Sequence, residues 1–277
     1  MQKVNFMSYD FIVVDSSNMA YRQWWAVKDL MHNGVHTGLE YGFIKKIVGY
    51  LAKNKDKLVL AWDGKPIRCT EMAGDYKSGR VKVNGNEPSW GPRLEKLRGA
   101  FSHLCKTLYH EYEEADDQMA KFVLNNKDKK ILIVTNDKDL QQFIGSMVHV
   151  EADNVLLDGE RCQEKWSVPA YKIPLYKALD GDGADNIPKV PRLLTTTKIN
   201  LVNMSSSIEE LISNFSHESL KEKEREKLAL YKEQVLNSYK MVNLLSLEGT
   251  HNVTEPDGDE THLRKIIEEL NLKTINF

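Results

Sequence analysis

Short apolar, β-branched runs alternate with stretches of helical periodicity through the first half of the chain. FIVVD (11–15), KLVLAW (57–62) and KILIVT (130–135) predict three buried strands. Between them, SSNMAYRQWWAV, the segment around 41–51, and residues 94–110 and 116–126 have helical character. Strand and helix in alternation predict βαβ units and a mostly parallel α/β sheet. MVHVE (147–151) and VLL (155–157) are expected to continue that sheet or to form a hairpin at its edge. Residues 81–93, VKVNGNEPSWGPR, break the pattern with two glycines, two prolines and two asparagines. A long irregular segment inside a compact domain is usually functional. Beyond residue 186 the strand signals fade. Segments 206–216, 219–237 and 261–271 read as helices, with KEKEREK (221–227) as a solvated helix face.

Each of the three apolar runs leads into an aspartate: Asp15, Asp63 and Asp137. Side-by-side strands would empty these carboxylates onto one rim, and open α/β sheets place their sites at the carboxyl ends of strands. More acid follows: Glu114, Asp116 and Asp117 in EEADDQM, Asp139 in TNDKD, and Asp182 with Asp185 in GDGADN. Taken alone, EEADDQM could simply cap a helix and GDGADN could be a turn. As a set, carboxylates this close cannot all stay ionised without cations. Magnesium or manganese, which prefer oxygen ligands, is the expected counter-charge. Two such ions would activate water and stabilise the leaving oxygen of a phosphodiester.

Composition adds boundaries rather than direction. The chain has 277 residues, 41% hydrophobic and 28% charged, with 38 basic against 40 acidic residues and a net charge of −2. That near balance conceals a nucleic-acid partner if an acidic site and a basic face cancel. Cys69, Cys105 and Cys162 are widely spaced and are expected to stay reduced. The first residues lack a signal-peptide pattern, no apolar run reaches the roughly 20 residues of a membrane helix, and the expected location is the cytoplasm. There is no H-E-x-x-H, no G-x-S-x-G and no phosphate-binding G-x-x-x-x-G-K-[ST].

Basic residues stand beside the acids. Arg68 follows Asp63, DYKSGR supplies Tyr76, Lys77 and Arg80, and Arg93 closes the irregular segment. Lys77 and Arg80 would share a helix face suited to phosphates, and an aromatic beside them could stack an unpaired base.

In order, VVDSSN, AWDGKPIR, DYKSGR, EEADD, TNDKD and GDGADN resemble the 5′→3′ exonuclease and flap endonuclease family, phage enzymes of the ribonuclease H type among them. The resemblance spans residues 11–187. It implies a PIN-like, twisted, mostly parallel sheet flanked by helices, with a helical arch (74–100) above the site. The nuclease domain would then cover 9–185 and a C-terminal helical DNA-binding region 186–277. By motif, Asp15, Asp63, Glu114, Asp116, Asp117, Asp137, Asp139, Asp182 and Asp185 correspond to the metal-site carboxylates, holding two Mg2+ or Mn2+. Lys77 corresponds to the catalytic arch lysine, Tyr76 to a base-stacking aromatic, Arg80 to a phosphate contact and Arg68 to a basic residue at the arch base. After Asn186 the sequence NIPKVPRLLTTTK lacks the glycines with which the family grips duplex backbone through K+. A K+ site is therefore not expected, and Lys189, Arg192 and Lys198 would contact the duplex by charge. The implied activity is structure-selective 5′ cleavage of flaps, nicked duplex and RNA–DNA hybrids during replication. Implied partners are such nucleic acids and a single-strand-binding protein or sliding clamp, with the chain acting as a monomer. The alternatives are an RNA-directed PIN-type nuclease and a non-catalytic DNA-structure-binding protein. An aspartate-based phosphohydrolase would need D-x-D at the first strand, where Asp15 is followed by two serines.

Overall fold

Ile12, Val13 and Val14 are fully buried because they lie in the central strand of a sheet covered on both faces. The computed structural model describes residues 8–27, 29–78 and 90–277. Its larger sheet has seven strands: β1 (Phe11–Asp15), β4 (Leu58–Ala61), β5 (Lys106–Leu108), β6 (Ile131–Val134), β7 (Val148–Ala152), β8 (Val155–Leu157) and β9 (Val253–Thr254). Their order is β8-β7-β6-β1-β4-β5-β9, with the five inner strands parallel and β8 and β9 antiparallel at the two edges. A separate hairpin, β2 (Met31–His32) and β3 (Val35–His36), turns through Asn33 and Gly34, both at positive φ. Asn-Gly is the pair that two-residue turn favours.

Strand periodicity separates the two faces. Ile12 and Val14 pack with Trp24, Phe43 and Phe101 from α1 (Ser16–Ala26), α2 (Gly38–Asn54) and α4 (Trp90–Ser102). Val13, Val59 and Ile133 point the other way, onto Met119, Phe122 and Val123 of α5 (Ala115–Asn125). The short α3 (Ile67–Met72) follows β4, and α6 (Gly159–Trp166) follows β8. A third cluster gathers α7 (Ile173–Asp180), α8 (Thr195–Asn203), α9 (Ile208–Ser213), α10 (Glu222–Leu230) and α11 (Lys232–Val242) around Leu179, Val202, Leu211 and Leu228. No helix among the described residues is long and apolar enough to cross a membrane.

The α/β architecture is as expected, and three details differ. Residues 94–110 are not one helix: α4 stops at Ser102 and KTL enters the sheet as β5. The run 219–237 breaks at Tyr231 into α10 and α11. The boundary at 185/186 does not divide the cores. Leu244 and Val253 join the α5 face, while Leu263 and Ile266 of α12 (Thr261–Glu269), with Leu272 and Ile275, pack on the α4 face. The last thirty or so residues thus belong with the sheet, and only the middle of the expected C-terminal region forms its own helical cluster. Arg80 and residues 81–89 of the expected arch lie outside the described residues.

The chain runs from β1 outward to β4 and β5, then returns to β6 and β7 on the other side of β1. The order therefore reverses between β1 and β6, and open α/β sheets bind ligands at such a switch point.

Candidate active site

Strand register decides where the first three acids fall. Asp15 pairs with Ala61 at the carboxyl end of β1, two residues before Asp63, and Val14 pairs with Val134, three before Asp137. All three leave the same rim, on neighbouring strands. Asp15 is held there as the N-cap of α1, accepting from the Asn18 amide at 3.0 Å and from Thr135 Oγ1 at 2.8 Å. Asp63 accepts from the Ala115 amide at 2.8 Å, so it caps α5 and draws the EEADD segment to the rim. Gly64 permits that approach: a Cβ there would lie 2.1 Å from the carbonyl oxygen of His110 and 2.6 Å from that of Glu111. Asp139 donates its amide to Asp137 Oδ1 at 2.8 Å, which turns the TNDKD acids together.

The last segment is tied to the lysine-bearing one. Asn186, at φ 60°, donates Nδ2 to Asp75 Oδ2 at 2.7 Å, and the Lys77 amide donates to the Asp185 carbonyl at 3.2 Å. Lys77 itself sits at φ 57°, a left-handed conformation uncommon for a residue with a side chain. That turn aims its ammonium at Glu114 Oε1, with which it pairs. Oxygen atoms of Asp139, Asp182 and Asp185 lie within 4.8 Å of one another.

Electrostatics links the remaining acids to these. Burial, then the charge of Asp63, raises the Asp15 carboxyl to about 7, with Asp137 adding to the effect. Burial likewise raises Asp139 to about 7, against the pull of Lys177. Asp116 stands well above the ordinary range through burial and the charges of Asp117 and Glu114, and Glu114 is raised mainly by burial. Asp182 moves the other way: burial would raise it, but Lys177 and the Ala184 amide outweigh that and leave it low. Burial alone would lower Lys77, yet Asp116, Glu114 and Asp185 outweigh it and raise the lysine. The nine carboxylates thus form one connected field, short of positive charge. Every donor is an oxygen, so the set suits hard divalent cations.

Several expected substrate contacts sit elsewhere than anticipated. The Tyr76 ring is only 8% exposed, packed with Cys69, Ile187 and Met241, and its hydroxyl donates to Glu114 Oε2 at 3.2 Å. It has no face open to a base. Arg68 spans Asp117 Oδ1 at 2.8 Å and the Met241 carbonyl at 3.0 Å, which makes it a brace behind the acids. Arg93 pairs with Glu40 and donates to the His36 carbonyl, with its guanidinium over Trp24. Lys198 is 5% exposed and paired with Asp180 at 2.5 Å. Neither Arg93 nor Lys198 is placed to meet a duplex. Lys189 and Arg192 are exposed.

Two residues escaped the sequence reading. Lys177, 4% exposed, pairs with Asp139 and with Asp182 at 2.8 Å, spanning two of the acidic segments. The available signal was a charged residue inside the apolar run IPLYKAL, since a buried lysine requires a partner. Tyr21, 50% exposed on α1, lies six residues from Asp15, about 9 Å along the helix, and contacts the Trp25 and Trp90 rings.

The 5′-3′ exonuclease, N-terminal resolvase-like domain family matches residues 10–167. The chain belongs to this family. Among relatives within the 5′-3′ exonucleases, that of Aquifex aeolicus is 28% identical over 277 residues, covering 95% of this chain and 92% of that protein. DNA polymerase I of Caldicellulosiruptor bescii is 29% identical over 248 residues, and the chain spans 29% of its length. The thermostable DNA polymerase I of Thermus aquaticus, 28% identical over 94% of this chain, is spanned to 32%. Two solved structures share the fold. T5 D15 protein co-crystallised with metal ions matches at TM-score 0.67 and 17% identity over 85% of this chain and 90% of that one. The catalytic core of Rad2 in complex with DNA substrate matches at TM-score 0.60 and 17% identity over 97% and 90%.

Proposed function

We propose that this 5′-3′ exonuclease family member is a divalent-metal-dependent, structure-selective 5′ nuclease acting on flaps, nicked duplex and RNA–DNA hybrids, RNA primers included. The observation that carries the reading is the meeting of Asp15, Asp63 and Asp137 at one strand rim with Glu114, Asp116, Asp117, Asp139, Asp182 and Asp185. These carboxylates would hold two Mg2+ or Mn2+ ions, which when bound supply an activated water and stabilise the leaving oxygen.

The chain's own groups have separable tasks. Asp139, Asp182 and Asp185 offer one tight set of oxygens, and Lys177 keeps the first two in register before a cation arrives. Asp15 is fixed by the Asn18 amide and Thr135 Oγ1, and Asp63 by the Ala115 amide, so both carboxylates are held at the rim. Tyr76 orients Glu114, and Arg68 fixes Asp117. Lys77 brings a cation to the edge of the cluster, where it offsets charge developing on the phosphodiester. Tyr21 offers the open aromatic face that Tyr76 lacks, and an unpaired base would stack there. Lys189 and Arg192 remain available for duplex backbone, and the reading needs no K+. The work would take place in the cytoplasm on replication intermediates, beside a single-strand-binding protein or clamp.

Cleavage of 5′-labelled flap, nicked and hybrid substrates with magnesium, manganese or chelator tests the proposal. Metal-dependent release of short 5′ products is expected. Binding without cleavage over hours would favour a DNA-structure-binding protein instead, and cleavage confined to single-stranded RNA would favour an RNA-directed nuclease.

A further inference from the structure

Parallel pairing with β6 brings the carboxyl end of β7 to the rim that carries the site aspartates. Val134 pairs with Glu151, so the turn of Asp153 and Asn154 that leads into β8 lies beside the TNDKD loop. A two-point contact joins turn and loop. Asn136 donates Nδ2 to Asp153 Oδ1 at 2.6 Å, and its Oδ1 accepts from the Asp153 amide at 2.9 Å. Resting on the nuclease reading above, we infer that Asn136 and Asp153 are positioning residues for metal binding, fixing the loop that presents Asp137 before an ion arrives.

The loop needs such a tie. The strand ladder reaches Thr135, whose amide donates to the Glu151 carbonyl at 3.1 Å, and the Asn136 side chain takes over from there. Asp137 stands among like charges: it helps to raise the carboxyls of Asp15, Asp116 and Asp139. Without metal that repulsion pushes Asp137 away from the cluster, and a hold on its loop opposes the push. Part of the hold is internal, since the Asp137 amide donates to Thr135 Oγ1 at 3.0 Å and the same hydroxyl donates to Asp15. Asp153 supplies the external part. Its Oδ1 also accepts from Arg22 Nη2 of α1 at 3.0 Å, and α1 is the helix that Asp15 caps. One carboxylate thus ties the loop of Asp137 to the helix of Asp15.

Position, rather than stability, is what this contact supplies. Asp153 and Asn154 sit at φ 50° and 62°, the pair of positive values that a two-residue turn of this kind requires. Asn154 is engaged separately, accepting from Lys46 Nζ of α2 at 3.4 Å. The Asp153 side chain is 75% exposed, and an ion pair so open to water adds little to overall stability. Outer partners that orient metal ligands nevertheless change metal affinity by roughly tenfold to a hundredfold.

Titration with Mn2+, read from the free-ion signal in electron paramagnetic resonance, tests this without turnover. Asp153→Gly, which keeps the positive φ open to the chain, should weaken binding of at least one ion by about tenfold and leave the melting temperature in EDTA unchanged. Asn136→Ala should weaken it at least as much. The double variant should lose no more than Asn136→Ala alone, because both residues act through one contact. Asp153→Asn, which retains Oδ1 and tolerates this backbone, should restore affinity. Wild-type Mn2+ affinity in Asp153→Gly, or additive losses in the double variant, would overturn the inference and leave the nuclease reading intact. So would an equal loss in Asn154→Gly, since the turn itself would then carry the effect. Failure of the wild-type protein to bind Mn2+ at all would overturn both readings.

Discussion

Chelating divalent ions and raising the pH should destabilise this protein in a window where most proteins change little. Asp15 has its carboxyl raised from 3.8 to about 7 by burial and by Asp63. At 1.36 kcal/mol per pH unit this is on the order of 4 kcal/mol, more than half of it falling between pH 5 and 7. The sign follows from which state holds the proton more tightly. A raised folded-state value means that the folded protein binds it better. Stability is therefore greatest below the unfolded value and is lost as pH rises through about 7. Asp139, also raised to about 7, acts in the same direction, but both feel Asp137, so the two contributions do not simply add. For a chain of this size, the loss lowers the melting temperature by roughly 5–10 °C between pH 5 and 7. Divalent ions reverse it, since a ligand at a hundred times its dissociation constant stabilises by about 2.7 kcal/mol. Differential scanning calorimetry across pH 5–8, with chelator and with saturating magnesium, measures both effects. A metal-free melting temperature that is flat or rises over this window, or that magnesium leaves unchanged, refutes the argument that the acids are crowded and underpaired.

Three substitutions probe the parts separately. Lys77→Ala should cut single-turnover cleavage by on the order of a hundredfold or more, the cost typical of removing one transition-state charge contact, and weaken DNA binding far less. Equal loss in both assays would assign Lys77 to binding alone. Asp139→Asn or Asp182→Asn should abolish cleavage of a flap substrate while gel-shift binding persists, and retained turnover would remove those carboxylates from the site. Lys177→Met should cost about 3–5 kcal/mol in metal-free urea unfolding, because it strands buried Asp139 beside Asp182. Magnesium should recover much of that loss, and a neutral effect without metal would show that Lys177 carries no such load.

The frame of the site was legible because strand period and strand-end residue both survive in the sequence. FIVVD, LVLAWD and ILIVTND each announce a buried strand and its carboxylate, and parallel pairing in register brings them to one rim. The fates of the basic residues were not legible. Arg93 and Lys198 look like surface cations until Glu40 and Asp180, far away in sequence, are folded against them. Tyr76 has the composition of a stacking platform, but Met241 and Ile187 close over it. Strand β5 escaped notice because KTL is only three residues long and follows a helix without a Gly or Pro break. The return of 244–277 onto the sheet depends on long-range burial of Leu263, Leu272 and Ile275, which periodicity alone cannot assign to a face.

The most direct measurement is anomalous diffraction from crystals of the protein grown with manganese. The account predicts two peaks among the nine carboxylates, one touching oxygens of Asp139, Asp182 or Asp185 and one on the side of Glu114, Asp116 and Asp117. Manganese found only outside this rim, or no ordered ion within it at saturating concentration, would contradict the account.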